Sequence, residues 1–134
     1  MLDTNVVLDL RIFGDVHCHA LAAELAARPG CWHATPRMRH EFDDVLARPA
    51  FERWAPRCTQ AAARWGDWAT MSEPLAVTTV PMRCPDPDDQ MFLDLAVQLG
   101  PCCLLSRDAE LLRLRRPAAR VGVRIATPAE FRRA

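Results

Sequence analysis

Apolar positions along the chain recur at helical spacing in some stretches and run unbroken in others, and the two kinds alternate. Residues 36 to 47 place Met38, Phe42, Val45 and Leu46 on one stripe. Thr35 is the cap, Pro36 the first helical residue and Pro49 lies past the end, so the stretch predicts a helix. A second helix is predicted over 15 to 27, closed by Pro29 and Gly30, and a third over 89 to 99, closed by Gly100 and Pro101. Residues 50 to 72 predict two helical pieces broken near Pro56, residues 108 to 116 a further helix, and Thr127 with Pro128 a short terminal one. Between them, 31 to 34, 75 to 80, 102 to 106 and 123 to 126 read as short strands, and 1 to 8 as a strand end running into a turn or helix. Strands alternating with helices predict an α/β fold with a parallel sheet and helices on both faces.

The same spacing, about 100° per residue, sorts the acids. Phe92, Leu93, Ala96 and Val97 follow Asp89 at the intervals of one helical face, which puts Asp89 on the core-facing stripe and Asp94 and Gln98 opposite. Glu41 borders the stripe of its own helix, whereas Asp43 and Asp44 point away. Capping accounts for one aspartate among Asp86, Asp88 and Asp89, but not for three. Asp3 and Asp108 fall at the ends of strands, on the edge of a parallel sheet where ligands bind, and Asp89 opens a helix on that edge. Carboxylates gathered without enough partners repel one another. A divalent cation resolves this, and all-oxygen ligation suits Mg²⁺ or Mn²⁺. The chemistry that follows is metal-assisted phosphodiester hydrolysis.

At 134 residues the chain is read as one domain, 1–134. Seventeen arginines balance seventeen acids, with no lysine, so net charge gives no overall nucleic-acid footprint. The distribution is uneven: residues 1 to 106 carry a net −5 and residues 107 to 134 a net +5. Six cysteines form no C-x-x-C pair, which predicts reduced thiols, and no apolar run approaches the ~20 residues of a membrane span. A soluble, cytoplasmic protein without membrane association is expected. Arg83 and Arg107, beside the acids, are candidates for steering substrate phosphates, with solvated surface arginines as the plainer reading.

The segments "LDTNVVL", "ATPRMRHEFDDVLARPAF", "CPDPDDQMFLDLAVQLG", "LLSRDAELLRL" and "IATPAEF" occur in that order. The chain resembles the PIN-domain family, most closely the branch of toxins from toxin–antitoxin systems. The resemblance implies a three-layer α/β/α fold with a central, mostly parallel sheet. It also implies an Mg²⁺- or Mn²⁺-dependent ribonuclease acting on single-stranded RNA. The family's acidic quartet carries over onto Asp3, Glu41, Asp89 and Asp108; Thr4, Asn5 and Ser106 match supporting polar positions, and Asp86 and Glu110 match neighbouring acids. A cognate antitoxin protein and homodimerisation are implied in the same way. Two departures stand out: only Met1 and Leu2 precede Asp3, so the first strand is short or begins upstream, and Ser106 and Gln90 stand where Thr and Asn are commoner.

Competing readings are weaker on the residues themselves. "HCH" at 17 to 19 with Cys31 and His33 has no structural-zinc spacing. Trp54, Trp65 and Trp68 could stack bases, but packing is the commoner use. Receiver domains and haloacid-dehalogenase-like phosphatases normally need a lysine, which this chain lacks. The rival from another class is a non-catalytic PIN-like module binding RNA or protein, separable from the enzyme by metal dependence.

Overall fold

The computed structural model describes residues 1–73 and 80–131. The strand expected at 75 to 80 therefore lies, but for Val80, outside the described residues. Leu2 makes a single parallel bridge to Leu105, and Asp3 then caps α1 (Thr4–Leu8), its Oδ1 accepting from the Asn5 N–H at 3.1 Å. A π-helical turn follows at Asp9–Phe13 and stops at Gly14, whose φ of 62° is cheap only for glycine. Asp15 caps a 3₁₀ turn, Val16–Cys18, that leads into α2 (His19–Ala27).

Strand β1 (Trp32–Ala34) delivers the chain to α3 (Pro36–Leu46), which begins at Pro36 because Thr35 Oγ1 accepts from the Met38 N–H. A 3₁₀ turn, Pro49–Trp54, then joins α4 (Ala55–Trp68). Ala69–Met71, expected to continue the helix, is instead β2, parallel to β1. The ladder to Trp32–Ala34 outweighs local propensity there, and a contact between strands so far apart in sequence leaves no helical or strand period to read.

Helix α5 (Gln90–Leu99) ends at Gly100, φ 84°, and leads to β3 (Cys102–Leu105). The helix expected over 108 to 116 is broken into α6 (Ala109–Leu112) and α7 (Arg115–Ala119). Finally β4 (Val123–Ala126) pairs in parallel with β3, and Thr127 forms a capping box with Glu130. Every pairing among the described strands is parallel, which agrees with an α/β fold. Among the described residues they form two small sheets, β1–β2 and β3–β4, with Leu2 extending the second.

The core is built where the elements meet. Val6, Phe42, Phe92, Leu93, Leu104 and Leu111 are fully buried, each worth roughly 1.5–3 kcal/mol. Trp65 is part of it, packed edge-on to Trp32 at 5.0 Å and against Phe42 at 5.1 Å. Because Leu2 and β3 run in parallel, their carboxyl ends leave the sheet on one side, and Asp3, Ser106 and Asp108 follow directly. No described helix is long and apolar enough to cross a membrane.

Candidate active site

Asp3 is the buried centre of the carboxyl edge, 4% exposed. Its N–H donates to the Leu105 carbonyl at 3.0 Å, which fixes the backbone against β3. Ser106, the residue after that strand, is wholly buried and donates its hydroxyl to Asp3 Oδ2 at 2.5 Å. The same Ser106 oxygen accepts from the Asp108 N–H at 2.9 Å. One hydroxyl thus ties Asp3 to Asp108 across more than a hundred residues of sequence. Asp108 in turn caps α6, its Oδ1 accepting from the Glu110 N–H at 2.7 Å.

Glu41 enters from α3. The Thr4 hydroxyl, buried beside Asp3, donates to Glu41 Oε2 at 2.5 Å, so the second residue of the edge holds the helix acid in place. Asp89 comes from the start of α5, where it occupies the N-cap position yet makes no side-chain cap. Its backbone, φ −86° and ψ −13°, is already helical, so the carboxyl is not committed to the orphan N–H groups of the helix. The next residue, Gln90, is buried and does the tethering. It accepts from the Cys84 N–H at 2.7 Å and donates to the Met82 carbonyl at 3.3 Å and to Asp94 Oδ1 at 3.0 Å, pinning the 82–84 segment to α5.

Electrostatics link the four. Burial raises the pKa of Asp3 above the usual carboxylate range; the Ser106 and Asn5 hydrogen bonds oppose this, and the charges of Glu41 and Asp108 add to it. Asp89 is pushed up to about 7, first by burial, then by the charge of Asp3, a hydrogen bond shared with Asp108, and the charges of Asp108 and Asp86. These are the marks of negative groups close together in a partly dry place.

The neighbouring candidates divide. Asn5 is exposed on the rim of the site, and its backbone rather than its side chain meets Asp3. Asp86 is exposed and its Oδ1 accepts from the Asp88 N–H at 2.9 Å, a local turn that positions the start of α5. Glu110 faces Arg113 at 2.8 Å rather than the quartet. Arg83 is exposed. Arg107 is bound to Asp9 and, at 3.0 Å, to Asp15, so its charge is engaged with the π-helical turn and the residue that caps the next one. Sequence spacing could not reveal that clamp, nor the tether made by Gln90, because both join segments through contacts that no periodicity encodes.

The donor chemistry fits a hard divalent ion: four carboxylates and two hydroxyls, all oxygen, with the ionisation of Asp89 suppressed first by burial and then by Asp3 and Asp108. Among the described residues, no three His, Cys, Asp or Glu side chains already stand in a metal-holding arrangement. Thr4 and Ser106 occupy Glu41 Oε2 and Asp3 Oδ2.

The chain is thus an α/β domain with parallel strands, with one buried acid, Asp3, and three half-buried ones, Glu41, Asp89 and Asp108, near its carboxyl edge. The sequence profile of the PIN domain matches residues 1–110, and the chain belongs to the PIN-domain family, whose members are generally metal-dependent nucleases. No curated protein and no solved structure matches it.

Proposed function

We propose that the chain is a metal-dependent endoribonuclease that cleaves single-stranded RNA, and the toxin of a type II toxin–antitoxin module. The observation that carries the reading is the meeting of Asp3, Glu41, Asp89 and Asp108, from four separate parts of the chain, within electrostatic reach at one sheet edge. Asp3, Glu41, Asp89 and Asp108 would hold Mg²⁺ or Mn²⁺, directly or through the waters such ions retain. When bound, the ion supplies charge neutralisation at the scissile phosphate and acidifies water. Ser106 and Thr4 orient the carboxylates they donate to, Asp3 and Glu41. The water oxygen bonds to phosphorus, the bond to the 3′ oxygen breaks, and a proton passes to that oxygen, leaving a 5′-phosphate and a 3′-hydroxyl.

A small cognate antitoxin and a homodimer belong to this reading as partners, and the cytoplasm as its place of action, where the six free cysteines stay reduced. The test is cleavage of a panel of labelled single-stranded RNAs in Mn²⁺, Mg²⁺ or EDTA. Cutting is expected only with metal, with 5′-phosphate ends, and should fall at least ~100-fold in Asp3→Asn and Asp89→Asn. A folded wild-type chain that cuts none of them, in any metal, counts against the enzyme and for a non-catalytic RNA- or protein-binding module.

A further inference from the structure

Beside the carboxylates opens a concavity of about 270 Å³, lined by Asn5, Leu8, Asp9, Phe13 and Arg107. Asn5 lies two residues from Asp3 and Arg107 is next to Asp108, so two of the segments that carry the acids also line the groove. Its notable member is Phe13, last residue of the π-helical turn, with its side chain left 40% exposed. Such turns occur disproportionately at functional sites. The ring is nevertheless held by two aromatic neighbours. Phe51 stacks on it at 5.9 Å with planes 30° apart, and Trp54 meets it edge-on at 5.3 Å and 79°. Arg57 steadies the turn by donating to the Ile12 carbonyl at 2.9 Å, and both Arg53 and Arg57 lie over Trp54 at 5.4 Å.

Charge decides what the groove can accept. Among the described residues that line it, Arg107 is the one cation, and Asp9 and Asp15 already engage it, leaving that trio a net −1. A phosphate is disfavoured there, whereas an uncharged planar group with polar edges is not: an aromatic floor offers stacking, and Asn5 and Asp9 offer hydrogen bonds. Resting on the ribonuclease reading above, we propose that this groove is a nucleobase subsite, in which an unpaired base next to the scissile phosphate stacks on Phe13. Its volume, below the ~300 Å³ at which ordinary ligand clefts begin, suits one base rather than a longer segment. Arg107 is then a positioning residue that clamps Asp9 and Asp15 to form the wall, rather than a phosphate ligand.

The experiment is an abasic scan. Single abasic nucleotides are walked along a cleaved RNA, and KM and kcat are measured for the wild type, Phe13→Ala and Phe13→Leu, the last keeping apolar bulk against Phe51 and Trp54 without the ring. The wild type should show one position near the cut where base removal raises KM about tenfold. Both variants should raise KM on intact RNA about as much, with kcat little changed, and should no longer sense that position. Photocrosslinking of 4-thiouridine RNA in EDTA gives a readout free of turnover, with label expected in the peptide that contains Phe13. A cutting wild type whose folded Phe13→Leu variant keeps the wild-type KM or abasic profile overturns the subsite and leaves the nuclease standing. A folded wild type that neither cuts nor crosslinks overturns both.

Discussion

Asp89 stands at the N-cap of α5 without capping it, and its carboxyl is pushed up to about 7 by burial, Asp3 and Asp108. In the unfolded chain the same group titrates near 4, so between those values the folded state holds the extra proton. Its contribution to stability is therefore full below about pH 4 and is lost as pH rises through about 7. Asp3, shifted upward by burial, acts in the same direction. With EDTA present, the melting temperature of the wild type should fall between pH 5 and pH 8 by more than that of Asp89→Asn, which has no proton to lose at this position. A cation competes with that proton, so the Mn²⁺-induced rise in melting temperature should be larger at pH 8 than at pH 5. Parallel pH profiles for wild type and Asp89→Asn in EDTA would remove the repulsion on which the site's chemistry depends.

At the scale of elements, the start of α5 is held by Gln90 rather than by a cap. Gln90→Ala removes an acceptor for the Cys84 N–H and a donor to the Met82 carbonyl, both in a buried setting, and should cost about 1–3 kcal/mol in denaturant unfolding. Amide exchange at Cys84 should accelerate well beyond the global change. Unaltered exchange there would mean that α5 and the 82–84 segment are joined by something else. Helices α3 and α5 were legible in the sequence because each carries a stripe at helical spacing with Thr35, Pro36 or Gly100 at its end, and Glu41 and Asp89 could be placed from those stripes. Ala69–Met71 was not legible, since a three-residue strand has no period and is made by its partner β1. The break between α6 and α7 escaped for a related reason: Leu111, Leu112 and Leu114 continue a helical pattern across the turn.

For the molecule as a whole, net charge is zero and says nothing about RNA, while local placement says a good deal. Arginines of the basic end are partly engaged, Arg113 with Glu110 and Arg115 with Glu130, in exposed pairs that add little to stability. The acids are gathered instead at the edge set by the parallel run of Leu2 and β3. Parallel pairing and the acids at strand ends could be inferred from alternation and the carboxyl-edge rule, whereas the Ser106 link between Asp3 and Asp108 and the Arg107 clamp needed three dimensions. In the function proposed above, Asp3, Glu41, Asp89 and Asp108 form one cation-binding centre. Calorimetric titration of the full chain with Mn²⁺ at pH 8 tests it most directly, comparing wild type with Asp3→Asn, Glu41→Gln, Asp89→Asn and Asp108→Asn. Asp67→Asn, an exposed acid of α4 paired with Arg64, is the control. Saturable binding in wild type and control, weakened at least about tenfold in each of the four variants, is the predicted result. Equal affinity in all six proteins, or no binding by a folded wild type, would contradict it.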